Sequence, residues 1–366
     1  MVTAHWIALV GWILGWVLLW RVPRLPRSAP EEPMAPVTIV IPARNEAQRI
    51  AGLLGPLTVG LPPAAQVIVV NDHSTDETAE VAARYPGVRV LSAPEVPAGW
   101  AGKTWACHTG AKAAAPGDLV FLDADVELRP EGLARALAMR RARGGLVSVW
   151  PYHRVVHPYE HLSALFNVTA FMGVGGGSLF PPRNVREAVG PMIVTNTVDY
   201  ARVGGHEAVK EDVVEDLRLG RRYAEVGLPV AVLGGGPDVA FRMYGEGLLS
   251  VVRGCSRSLG RGAFVLSPVR IIGIIAWITC AYGAFLWASG VTRWPGIVLT
   301  ILFALQMGVQ FRRMGSFGWV DAILYPVHLV FFTLVFLLGI LNVRVFRRVH
   351  WRGRTVSLRD ETETKG

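Results

Sequence analysis

Asp123 and Asp125 flank one alanine at the end of an apolar run, 119–122. Two carboxylates so placed can jointly hold a hard cation. Mg2+ and Mn2+ favour oxygen ligands and bind through one or two carboxylates completed by substrate phosphates. The plainer alternative is a loop acid that caps the next helix. Asp72 stands just past a second apolar run, 67–70, where its carboxylate can accept from a nucleobase N–H or a ribose hydroxyl. Asp76 reads as a helix N-cap. Glu46, within Arg44-Asn45-Glu46, either meets the base or begins its helix. Gly102-Lys103-Thr104 ends like a P-loop, but the position that the full pattern reserves for its first glycine is Pro97, so that reading fails. A lysine at a helix start remains, beside a phosphate or simply solvated. Glu215-Asp216 opens another helix, where an acidic pair is electrostatically ordinary. The functional reading makes Asp216 a general base that takes the proton of an acceptor hydroxyl, with Asp212 as its rival.

These polar clusters need a scaffold that collects them. Apolar runs at 37–41, 67–70, 88–91 and 119–122 alternate with helix-like stretches at 46–57, 76–84 and 103–115. Runs apolar at every position suit strands buried on both faces. Their alternation with helices predicts an α/β domain on a mostly parallel, Rossmann-like sheet. Ligands of such sheets lie beyond the carboxyl ends of the strands, where the polar clusters fall. A basic helix at 130–143, a strand at 146–150 and helices at 159–171 and 213–226 complete the middle of the chain. His153, His157 and His161 are spaced four apart, but Pro158 interrupts a shared helix face and disfavours a zinc site. Cys107, Cys255 and Cys280 stand at neither metal nor redox spacing.

The chain has 366 residues, 51% of them hydrophobic and 18% charged, with a net charge of +9. The apolar excess sits at the two ends. Segment 4–20 is apolar and followed at once by Arg21, Arg24 and Arg27. A cleaved signal peptide would carry its positive charge before the apolar run, so this reads as an uncleaved anchor with its C-terminal side in the cytoplasm. Residues 28–36 are proline-rich and read as a linker. Segment 247–264 interleaves Arg253, Arg257 and Arg261 with apolar residues, the pattern of a helix lying in a membrane interface. Three apolar runs follow, 269–291, 294–311 and 320–343. Three spans would leave the arginine-rich tail outside, against the positive-inside rule, so one run is expected to be re-entrant or interfacial. The expected organisation is an anchor at 1–27, a linker at 28–36, a catalytic domain at 37–246, an interfacial segment at 247–268, a transmembrane region at 269–345 and a tail at 346–366. The basic charge suits an anionic membrane surface. The chain carries no nucleic-acid motif.

Taken in order, four motifs resemble family 2 of the inverting glycosyltransferases: Thr38-Ile39-Val40-Ile41-Pro42-Ala43-Arg44-Asn45-Glu46, Val69-Val70-Asn71-Asp72-His73-Ser74-Thr75-Asp76, Asp123-Ala124-Asp125 and Glu215-Asp216. Gly99-Trp100-Ala101-Gly102-Lys103-Thr104, Ser148-Val149-Trp150-Pro151-Tyr152-His153 and Tyr159-Glu160-His161-Leu162-Ser163 are similar to its membrane-bound branch that glycosylates polyisoprenoid lipids, carotenoids and hopanoids among them. The resemblance implies a GT-A fold, a nucleotide-diphosphate sugar donor such as UDP-glucose, Mg2+ or Mn2+, and a lipid acceptor, a carotenoid acid or hydroxylated carotenoid first. It also implies a multi-pass protein of the cell (inner) membrane with a cytoplasmic catalytic domain. Glu46 and Asp72 would then hold the nucleoside beside Pro42 and Arg44, and Asp123 would sit near the ribose. Asp125 would take the metal, Lys103 would face the donor and Asp216 would be the base. Processive members carry Gln-x-x-Arg-Trp, where this chain reads Arg253-Gly254-Cys255-Ser256-Arg257-Ser258. That departure speaks against a polysaccharide synthase. Arg257 either helps the diphosphate leave or serves the interface. A non-catalytic scaffold on the same fold would bind no donor, and the intact acidic set argues against it.

Overall fold

The computed structural model describes residues 2–28, 36–61, 64–182, 185–212, 214–288, 290, 293–344, 348–351 and 354–357, without the side chains of 2–4, 257–264 and those after 341. Most of the linker 28–36, much of the tail 346–366 and the Arg257 side chain therefore lie outside the described residues.

Among the described residues, ten strands build the α/β part: β1 (Val37–Ala43), β2 (Ala65–Asn71), β3 (Val88–Ser92), β4 (Asp118–Leu122), β5 (Val126–Leu128), β6 (Leu146–Trp150), β7 (Tyr152–His153), β8 (Met192–Asn196), β9 (Val230–Gly234) and β10 (Val239–Phe241). Seven form one sheet in the order β3-β2-β1-β4-β8-β6-β9, and β5-β10-β7 form a smaller one. Residues 37–41 of β1 are all buried, as expected of a strand covered on both faces. The four strands nearest the N-terminus pair in parallel, with Ala43 of β1 opposite Asn71 of β2. That register brings the loops after β1 and β2 side by side. β8 runs antiparallel between β4 and β6, which makes the sheet mixed. Sequence reading misses β8 because its apolar run is only Met192-Ile193-Val194, too short to assign by periodicity.

Among the described residues, thirteen α-helices accompany the strands: α1 (Val2–Leu18), α2 (Ile50–Val59), α3 (Thr78–Ala83), α4 (Gly102–Lys112), α5 (Pro130–Arg143), α6 (Ala164–Val174), α7 (Thr197–Arg202), α8 (Glu215–Glu225), α9 (Leu248–Val265), α10 (Pro268–Ala288), α11 (Arg293–Met314), α12 (Trp319–Ile323) and α13 (Tyr325–Arg344). The helix expected from residue 46 begins only at Ile50. Asn45 is left-handed, and the Glu46 and Ala47 N–H groups are taken by Thr78 and Asp76 side chains. The helix expected over 159–171 opens as a 3-10 turn, Pro158–Ser163. The third C-terminal apolar run is not one helix: it breaks at Leu324 between α12 and α13. By length and composition, α10 and α11 are long and apolar enough to cross a membrane, while His5–Leu18 and Tyr325–Leu341 are shorter apolar stretches.

α1 is built into this helical layer. Trp12 donates through Nε1 to the Leu302 carbonyl at 2.9 Å, and Gln306 donates back to the Trp12 carbonyl at 2.7 Å. Gly11 and Gly15 share one helix face. A Cβ at either would overlap Cys280 or Trp277 of α10, so their lack of one permits the close approach. The segment after α1 then bridges to β9 at Arg24 and Gly234, tying helical layer and sheet into one body.

Candidate active site

The loops after β1 and β2 lock each other. Thr75 N–H donates to Asn45 Oδ1 at 2.8 Å, and Asn45 N–H donates to Ser74 Oγ at 3.1 Å. Asn45 and His73 hold φ of 54° and 52°, a region that asparagine tolerates better than most residues. Arg44 crosses between the loops, donating to the Asp72 carbonyl at 2.8 Å with its guanidinium 3.7 Å from the Asp72 carboxylate. Glu46 and Asp72 are both buried. The result is a rigid acidic shelf at the carboxyl end of the sheet.

Asp123 and Asp125 follow β4. From the N-terminus of α4, Lys103 Nζ reaches Asp123 Oδ1 at 2.8 Å and Glu215 Oε1 of α8 at 2.9 Å. Burial works against the Lys103 ammonium. The carboxylates of Asp123, Glu215 and Asp216 outweigh it and hold its pKa well above the ordinary lysine value. Asp216 shows the opposite balance. Burial and the neighbouring Glu215 charge push its pKa up to about 7, although Lys103 and the Leu217 N–H favour the carboxylate. Gly190 faces it, and a Cβ there would overlap Asp216 Oδ2. Asp212 instead lies 3.5 Å from Arg218 and is not among the residues lining the cavity described next.

A cavity of about 640 Å³ joins these groups. Pro42, Arg44, Glu46, Asp72, Lys103, Asp123, Asp125 and Asp216 all line it, as do Glu215 and Gly190. From this polar end the cavity continues past Trp150 and Thr169 into a limb walled by isoleucines of α10 and by Phe332 and Phe336 of α13. Which residues of these apolar helices wall the cavity is not legible in the sequence, because that contact is purely tertiary. Gly190 carried no signal of its own, and Glu215 was legible as an acid but not as the partner of Lys103. The three spaced histidines separate: His153 pairs with Asn167, His157 stacks on Tyr159 and His161 meets Asp321. Asp76 accepts from the Thr78 N–H, but α3 starts at Thr78 with Glu77 in the N-cap position, one residue later than expected.

Among the described residues no group of three His, Cys, Asp or Glu side chains could by itself hold a metal ion. Asp123 and Asp125 present oxygen ligands, and one cation, the Lys103 ammonium, already rests on Asp123. Phosphate oxygens of a ligand would complete such a site.

The sequence model of glycosyl transferase family 2 matches residues 38–171. The chain is 35% identical over 335 residues to the 4,4'-diaponeurosporenoate glycosyltransferase of Staphylococcus aureus strain USA300, covering 89% of each chain. The enzyme of that name from strain MRSA252 gives the same identity and coverage. Among solved structures, the chain is similar to the mannosyltransferase PcManGT from Pyrobaculum calidifontis in complex with GDP-Man and Mn2+, with a TM-score of 0.56, 16% identity and coverage of 92% of this chain and 96% of that one. That likeness assigns the GT-A fold. With the fold, the four motifs and the relatives' identity in agreement, this chain belongs to glycosyl transferase family 2.

Proposed function

We propose that the protein is a membrane-embedded inverting glycosyltransferase that moves a sugar, glucose from UDP-glucose in the first instance, to a lipid acceptor of the carotenoid-acid or hydroxylated-carotenoid class. The single observation that carries this reading is the continuity of the cavity from the acid cluster into the apolar limb. A soluble acceptor has no use for an isoleucine-lined limb. A lipid with one polar end fits both halves. The relatives support the class, since they are named for a carboxylate of a carotenoid. A belt of outward apolar side chains on α10, α11 and α13, Ile272, Val298 and Leu334 among them, supports embedding in a bilayer. Arg21, Arg24 and Arg27 after α1 support a catalytic part on the cytoplasmic side of the cell membrane, and the arginines of segment 247–264 support α9 in the interface.

In this account Arg44, Glu46 and Asp72 hold the nucleoside beside Pro42, and Lys103 faces the diphosphate. A divalent ion held by Asp125 with Asp123 would supply charge neutralisation for the leaving diphosphate. The acceptor oxygen attacks the anomeric carbon opposite the leaving group. The bond to the phosphate oxygen breaks with its electron pair staying on that oxygen. A hydroxyl acceptor gives its proton to Asp216. A carboxylate acceptor has none to give near pH 7, and Asp216 then orients it. Purified protein in lipid nanodiscs, given radiolabelled UDP-glucose and a carotenoid acid, should yield one labelled lipid carrying one hexose. A ladder of longer products would move the assignment to a polysaccharide synthase.

A further inference from the structure

The apolar limb of the cavity has a side opening. On α10, Ile271, Ile275, Thr279 and Tyr282 all line it, and their spacing places them on one helix face. Ile275 is nevertheless 52% exposed, and Ile272, three residues before it and outside the cavity lining, is 67% exposed. A residue can line the cavity and face outward only where the wall is open, so the limb meets the exterior along the line between α10 and α13. Beyond that opening the two helices are tied together. Tyr282 and Thr333 share a hydroxyl hydrogen bond of 3.0 Å, and Tyr325 donates to the Ala281 carbonyl at 3.4 Å.

We propose, resting on the lipid-acceptor reading above, that the acceptor slides in sideways from the bilayer through this opening and lies along α10, with the Tyr282–Thr333 pair closing the end of its slot. The shape follows from helix geometry. Ile271 to Tyr282 spans eleven residues, or about 16 Å at 1.5 Å per residue. At roughly 1.3 Å per bond, the advance of an extended chain, that length holds about a dozen chain carbons. The Tyr282–Thr333 hydrogen bond holds the two helices together at the end of the slot, which suits one slender chain better than a fused-ring body. The acceptor class is thus a linear apolar chain with a terminal carboxylate or hydroxyl. Whatever exceeds the slot remains in the bilayer through the opening at Ile275, so long acceptors are admitted as well as short ones.

The test uses the full-length protein in nanodiscs with radiolabelled UDP-glucose. Acceptor probes are a short soluble carboxylic acid, a linear polyene acid longer than the slot, and a fused-ring alcohol. Ile275→Trp fills the opening. Ile272→Trp adds the same bulk to a residue 67% exposed that does not line the cavity. The expected result is that Ile275→Trp loses at least tenfold in kcat/KM for the long linear acid relative to the short one, while Ile272→Trp keeps the wild-type ratio and the fused-ring alcohol is a poor acceptor throughout. An unchanged ratio in Ile275→Trp, or preference for the fused-ring alcohol, overturns this inference and leaves the lipid-acceptor reading standing. A wild type that glycosylates no lipid at all overturns both.

Discussion

Lys103 Nζ stands 2.8 Å from Asp123 Oδ1 and links that strand-end acid to Glu215 at the start of α8. One ammonium thus joins two parts of the acid cluster that lie far apart in sequence. Lys103→Met should weaken donor binding and lower kcat/KM by about 10²–10³, the scale of removing one charged group from a developing negative charge. Lys103→Arg should recover part of the loss. Calorimetric titration with UDP-glucose and steady-state kinetics read both effects, and wild-type donor affinity in Lys103→Met would remove the lysine from the donor site.

Asp216→Asn separates chemistry from stability. With a hydroxylated acceptor it should lower kcat by about 10²–10⁴, the usual worth of a general base, with donor affinity little changed. With a carboxylate acceptor the loss should be smaller. The folded pKa of about 7 lies above the 3.8 of an ordinary aspartate. Folding therefore favours the protonated form, and ionising Asp216 costs stability as pH rises from 4 through 7. The variant should melt higher than wild type at pH 8, with the gap closing near pH 4. Scanning calorimetry at the two pH values checks the sign.

The pH profile follows from the same group. With a hydroxylated acceptor, kcat/KM should fall about tenfold per pH unit below an apparent pKa near 7. With a carotenoid acid the acid limb should be shallower. Identical limbs for the two acceptors would remove Asp216 from proton transfer.

Gly190→Ala should act only through Asp216. Its added Cβ would displace the Asp216 carboxylate, so kcat should drop at least tenfold while donor affinity and melting temperature stay near wild type. Equal loss in donor affinity would show a wider collapse of the site.

Much of the site was legible in the sequence because chemistry and position coincide there. Asp72 and Asp123 follow runs apolar at nearly every position, and such runs end at the carboxyl edge of a parallel sheet whatever the details of packing. The choice between Asp216 and Asp212 was not legible, since both stand near one helix start. Only the fold shows that Asp216 lines the cavity beside Gly190 while Asp212 does not, which favours Asp216 in the proposed role. Glu46 looked like a helix start, yet side-chain hydrogen bonds to its loop delay the helix to Ile50. The apolar limb was hidden because composition marks a helix as apolar without saying which face looks into a cavity. Ile275 and Ile272 are the same residue type three positions apart, and only the first lines it.

The central claim is that one cavity serves both a nucleotide sugar and a lipid. Mass spectrometry of total lipids tests it most directly, comparing hosts that make carotenoids and hopanoids and express wild type, Asp125→Ala or no protein. The account predicts a carotenoid shifted by one hexose in the wild-type host alone. With both proteins present in the membrane, the absence of any hexose-shifted lipid, or an equal shift with Asp125→Ala, would contradict it.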